Sequence, residues 1–163
     1  MASNGGRCSL HDRAMPIPEL DDHGLLPIGV HDCNWLEIQH KFCWNAPRQK
    51  IYEGAQRFLQ NHWQPLHIQA SLWVDGSFTR TKDEPADIDI VADISHLSMR
   101  EALPAFMLWF QQPRWKQAYA VDFWIKHPSI PNDLTQFFQY LGLKAGAELS
   151  LDTKCLKGIL RIP

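Results

Sequence analysis

Leu72-Trp73-Val74-Asp75-Gly76-Ser77 and, nine residues later, Asp87-Ile88-Asp89 decide how this chain folds. Over residues 67–75 apolar and polar positions alternate, with Ile68, Ala70, Leu72 and Val74 on one side. That is the pattern of a half-buried strand, and Gly76-Ser77 ends it in a turn. A second strand is predicted over 86–92, with Asp87, Asp89 and Val91 on one face and Ile88 and Ile90 on the other. Aspartate is depleted in strands, so two carboxylates projecting from one face need a reward. Charges about 7 Å apart repel by roughly 2–3 kcal/mol at an effective dielectric near 20, and a hard divalent cation with oxygen ligands converts that repulsion into binding.

A third strand is predicted over 118–125 and carries Asp122 in its middle, 33 residues after Asp89, enough for one crossover helix between neighbouring strands. The three acids Asp87, Asp89 and Asp122 can therefore converge as metal ligands and catalytic groups. Magnesium is the natural ion, with manganese as substitute. Gly76 lets backbone approach a phosphate, and the Ser77 hydroxyl with neighbouring N–H groups can hold its oxygens. Arg80 and Lys82, in the loop between the strands, can neutralise the same phosphates.

Upstream, Asp32 reads as an N-cap for a helix carrying Trp35, Ile38 and Phe42. A second helix follows Asn45-Ala46-Pro47, with Ile51, Ala55, Phe58 and Leu59 on one face. Downstream, Ser98-x-x-Glu101 is a capping box for a helix toward Phe110, with Pro104 tolerable only near its first turns. Asp133 can cap a short helix bearing Leu134, Phe137, Phe138 and Leu141, and 156–162 reads as a closing strand. No further helical domain is read after Asp122. Residues 1–26 show no period and are expected to form a mobile N-terminal arm, leaving 27–163 as a single α/β (α+β) domain: a small mixed sheet flanked by helices.

Composition narrows the function. The chain has 163 residues, 16 Lys plus Arg against 18 Asp plus Glu, and a net charge of −2. No strong non-specific nucleic-acid binding is expected from that balance. No apolar run is long enough to cross a membrane, and the start lacks an apolar signal core, so a cytoplasmic location and no membrane partner are expected. Four scattered cysteines form no Cys-x-x-Cys pair, and His31, Cys33, His40 and Cys43 fall around a helix rather than on one face. Neither a disulfide framework nor a zinc site is read from them.

The order apolar strand, Gly76-Ser77, gap, Asp87-x-Asp89 and later Asp122 resembles the nucleotidyltransferase superfamily of polymerase-beta type. A narrower resemblance spans roughly residues 26–162. It rests on Leu26-Pro27-x-Gly29-x-His31, Trp35-x-Glu37, Gly76-Ser77-Phe78-Thr79-x-x-Lys82, Pro85-x-Asp87-x-Asp89 and Lys157-Gly158-Ile159. These look like a family of short bacterial proteins with a nucleotidyltransferase-like fold. The resemblance implies that Asp87 and Asp89 hold metal on a nucleoside triphosphate, that Asp122 completes the site and activates the acceptor hydroxyl, and that Gly76 and Ser77 hold phosphates. Where small nucleotidyltransferases usually follow Gly-Ser with Arg-Gly, this chain has Phe78-Thr79-Arg80.

The expected activity is transfer of NMP, with ATP as first candidate donor, from Mg-NTP to a hydroxyl of a protein or RNA acceptor. The alternative is a binding protein that keeps the fold but blocks a protein toxin, as an immunity protein or antitoxin does.

Overall fold

A computed structural model describes residues 17–163. They form a mixed α+β fold whose five-stranded sheet has the order β1-β5-β2-β3-β4, with six helices around it. The strands are β1 (Val30–Asp32), β2 (Ser71–Asp75), β3 (Ile88–Asp93), β4 (Val121–Lys126) and β5 (Ile159–Ile162). β2 runs antiparallel to both β3 and β5, whereas β3 and β4, like β1 and β5, are parallel.

Strand alternation puts Leu72, Val74, Ile88, Ile90, Val121, Phe123, Ile125 and Leu160 on one face, where all are buried. They form one core with apolar residues of α1 (Trp35–Phe42), α2 (Ala46–Phe58), α3 (Met99–Trp109) and α4 (Gln112–Tyr119). Burying a side chain such as Phe58 or Ile90, both fully covered, stabilises the fold by about 1.5–3 kcal/mol each before entropy is charged against it. The opposite face carries Trp73, Asp75, Asp89, Val91, Asp122 and Trp124, and there the site lies.

Local signals explain the helix starts. Asn34, not Asp32, caps α1, and it forms a capping box with Glu37. Asp32 instead ends β1 and holds Arg161 of β5, at 2.6 and 2.8 Å. Asn45 caps α2 with Pro47 in its first turn, and Ser98 and Glu101 form the box that opens α3. Pro104 is accommodated inside α3.

Several expectations need correction. The strand read over 67–75 starts only at Ser71, after His67 adopts a left-handed conformation, and Asp87 lies just ahead of β3 rather than within it. α4 occupies 112–119, so β4 begins at Val121. The arm expected over 1–26 lies outside the described residues as far as 16. Residues 17–26 pack into the fold, with Ile17, Leu25 and Leu26 buried. After Asp122 the short helix expected behind Asp133 is present as α5 (Leu134–Phe137), capped by that residue, but it is followed by a helix not read from the sequence, α6 (Gly142–Leu149). α6 is anchored by its own cluster of Leu25, Leu141 and Ala145, against which Leu149, Leu151 and Cys155 pack. Among the described residues no helix is long and apolar enough to cross a membrane.

Candidate functional site

The register of three adjacent strands lines up three carboxylates. Asp75 on β2 stands opposite Asp89 on β3, and Asp89 stands opposite Asp122 on β4. Directly opposed residues have Cβ atoms about 4.5–5.5 Å apart, so this is a row of like charges that destabilises the sheet unless each is answered. Two of the three are. Asp75, 2% exposed, receives the Lys157 ammonium on both oxygens at 2.5 Å and the Thr79 hydroxyl at 3.1 Å. Burial pushes the Asp75 carboxyl up, and these donors pull against it.

Asp122 is held from α4. Gln112 donates its amide to one oxygen, and the Lys116 ammonium sits 2.7 Å from the other. Lys116 is equally close, 2.7 Å, to Asp87. Its amine loses some proton affinity to burial but gains more from hydrogen bonds to Asp122 and Asp87, so its pKa lies above the ordinary lysine value.

Asp89, in the middle of the row, has no hydrogen-bond or ion-pair partner among the described residues. Burial, followed by the charges of Asp75, Asp87 and Asp122, pushes its carboxyl up to about 8. Gly76 adjoins it. With φ at +83°, and with Asp89 Oδ2 only 1.8 Å from where a Cβ would stand, that position admits glycine alone. Gly76–Thr79 then forms a 3₁₀ turn that brings Ser77 beside the row.

These groups open into a cavity of about 300 Å³. Its polar wall is formed by Asp75, Gly76, Ser77, Arg80, Asp87, Asp89 and Lys157. Phe137, Phe138, Tyr140, Leu141, Leu143 and Ala145, on and around α5 and α6, supply its apolar wall. The sequence-predicted Asp87, Asp89, Gly76, Ser77 and Arg80 thus meet on one cavity, and Asp122 joins them through the register rather than the lining. Arg80 is nearly buried and pairs with Glu148 of α6 at 2.9 Å. Lys82 does not line the cavity and binds the same Glu148 at 3.0 Å.

Four residues of the site were missed in the sequence: Asp75, Lys116, Lys157 and Arg48. Asp75 was visible inside the quoted motif, and Lys157 inside Lys157-Gly158-Ile159. Gly158 lets β5 enter close to the preceding loop: a Cβ there would stand 2.1 Å from the Pro27 carbonyl and 2.7 Å from His31 Nε2. Arg48 gave no signal beyond its helical position. It is wholly buried, donates to the carbonyls of Phe42, Phe78, Arg80 and Lys82, and lies 3.7 Å from the Trp44 ring centroid. One guanidinium therefore fixes the whole loop that follows Gly76–Ser77. Burial lowers its pKa to about 10.

Aspartate oxygens around an unanswered central carboxylate are a donor set that suits a hard divalent cation such as Mg²⁺ or Mn²⁺. With Lys116 between Asp87 and Asp122, no group of three or more His, Cys, Asp and Glu among the described residues could hold a metal ion as it stands. Loading a metal requires Lys116 to yield its place.

A model for a family of unknown function, DUF6932, matches residues 18–163. No curated protein and no solved structure matches the chain.

Proposed function

We propose that this chain, which belongs to the DUF6932 family, is a nucleotidyltransferase that moves NMP, with ATP as first candidate donor, from Mg-NTP to a hydroxyl of a protein or RNA acceptor. The observation that carries the reading is the row Asp75–Asp89–Asp122 beside the Gly76–Ser77 turn, with its central carboxylate unanswered. In this reading Asp87, Asp89 and Asp122 hold the divalent cation, which supplies charge neutralisation on the triphosphate. Ser77 and the turn N–H groups bind phosphate oxygens, and Arg80 and Lys157 face them from the cavity wall. The acceptor oxygen forms a bond to the α-phosphorus while the bridging bond to the β-phosphate breaks and pyrophosphate leaves. The acceptor proton passes to the Asp122 carboxylate. Asp75, held by Lys157, keeps the turn in place and takes no proton.

Titrating ATP, CTP, GTP and UTP with Mg²⁺ or Mn²⁺ into the wild type and the Asp87→Asn/Asp89→Asn variant tests this by calorimetry. Metal-dependent binding that the variant loses is expected. Binding of no nucleotide by the wild type would overturn the reading.

One observation favours the alternative. Lys116 and Lys157 already answer three of the four carboxylates, as in a site that no longer needs a metal. The chain would then be a non-catalytic partner of a protein toxin. Capture of that toxin unaffected by Asp87→Asn would support it.

A further inference from the structure

The cavity has two chemically different walls. Around Asp89 it is lined by carboxylates, cations and the Gly76–Ser77 turn, and on the α5–α6 side by Phe137, Phe138, Tyr140 and Leu143. Phe137 is 62% exposed, Tyr140 50% and Leu143 83%. Single exposed apolar side chains are ordinary, but here three converge on one cavity mouth. The wall that bears them is built in rather than loosely attached. Tyr140 bridges Leu156, the Lys157 N–H donates to the Gln139 carbonyl at 2.8 Å, and the Leu141 N–H donates to the Cys155 carbonyl at 2.9 Å. The segment that presents the rings is therefore paired with the one that delivers Lys157 to Asp75.

We infer that Phe137 and Tyr140 form the platform on which the nucleobase of the nucleotide stacks, while its phosphates reach the Gly76–Ser77 turn. This rests on the nucleotidyltransferase reading. Once a divalent cation neutralises the carboxylates of the strand wall, a ligand that fills the cavity is anionic against that wall and flat, apolar and uncharged against the α5–α6 wall, and a nucleoside triphosphate has that shape. Phe137 leans edge-on against Phe138, with ring centroids 5.8 Å apart, which limits its rotation and keeps a face available. Beside the Tyr140 hydroxyl, Lys144 is the one polar side chain of that wall, and neither offers the paired donor and acceptor that read a base edge in two places. Stacking is tolerant of base identity, so the platform predicts little discrimination within the purines, and purines ahead of pyrimidines because they offer more ring area.

The test uses calorimetry with two probes, Mg-ATP and Mg-tripolyphosphate, on the wild type and on Phe137→Ala/Tyr140→Ala. Both rings are exposed, so their removal should leave the fold intact, and tripolyphosphate binding checks this in the same experiment. In the wild type ATP should bind more tightly than tripolyphosphate. In the variant ATP should weaken by about 5- to 100-fold while tripolyphosphate is unchanged. Unchanged ATP affinity in the variant, or equal loss of both probes, overturns the platform and leaves the phosphate and metal assignments standing. ATP binding no tighter than tripolyphosphate in the wild type overturns it too, and marks the rings as a surface for something other than a base. A wild type that binds neither probe overturns both this inference and the reading beneath it.

Discussion

The ammonium nitrogen of Lys116 sits 2.7 Å from Asp122 Oδ2. It is the same distance from Asp87, so a single tethered cation spans two of the acids assigned to the metal and leaves Asp89 between them unanswered. A charged side chain and a divalent ion compete for the same oxygens.

Replacing Lys116 with Met should therefore tighten Mn²⁺ binding, by roughly five- to thirtyfold if the lost contact is worth about 1–2 kcal/mol. Without metal the same variant should be less stable by about 1 kcal/mol, a modest loss because Lys116 is half exposed. Electron paramagnetic resonance of free Mn²⁺ reads the first effect and urea denaturation the second. Weaker Mn²⁺ binding in Lys116→Met would show that Lys116 supports the ion rather than competing with it.

Asp89 makes stability depend on pH. Its folded value, near 8, lies far above the unfolded one, so its contribution is present in full below about pH 4 and is lost as pH rises through 8. Asp89→Asn should thus stabilise the metal-free protein by about 2 kcal/mol or more at pH 9 and by little at pH 4. Equal gains at both pH values would deny the buried charge.

Metal uptake reports the same group from the other side. Binding needs the carboxylate form, so Mg²⁺ or Mn²⁺ affinity should climb with pH up to about 8 and then level off, with release of close to one proton at pH 6. Calorimetry in buffers of different ionisation enthalpy counts that proton, and an affinity indifferent to pH between 6 and 8 would contradict the assignment.

Lys157→Met should cost about 3–5 kcal/mol, because it strands the buried Asp75 carboxylate. The double variant Asp75→Asn/Lys157→Met should recover much of that loss. If the double variant is no better than the single one, Lys157 acts through packing instead of charge.

Gly76→Ala should abolish nucleotide binding, since the new methyl enters Asp89 Oδ2 and the backbone is left-handed there. In Gly76→Ala/Asp89→Ala the clash is gone and the backbone strain is left, about 1 kcal/mol, so a double-mutant cycle that includes Asp89→Ala alone, read by urea denaturation, isolates the contact.

The sheet centre was legible because alternation in 71–75 and 88–92 assigns each residue a face and put Asp89 opposite the apolar positions, while Asp122 was read only as an acid in the middle of a later strand. The same alternation placed Asp75 with Asp89, but pairing Asp75 with Asp89 depends on the register set by the loop 76–87. That loop is held at the carbonyls of Phe78, Arg80 and Lys82 by Arg48, a residue on another element whose role no local pattern announces. α4 escaped notice because Trp115 is its one buried side chain, leaving almost no apolar period to detect, and with it went Lys116 and Gln112. α6 begins at a glycine with a positive φ and has no side-chain cap, so its start carried no recognisable signal. β1, at three residues, is too short for alternation to speak; its strand character comes from pairing with β5.

The insertion of β5 between β1 and β2 also sets an order of events during synthesis. Of the described strands β1 emerges from the ribosome first, yet its sheet partner is the element made after all the others described. Until residues 156–162 are out, β1 has nothing to pair with, Asp75 lacks its counter-ion and the Tyr140 bridge has no second half. A nascent chain can hold the β2–β3–β4 hairpin and crossover while its cavity is still absent, so the cavity is completed as a late event in the life of the polypeptide.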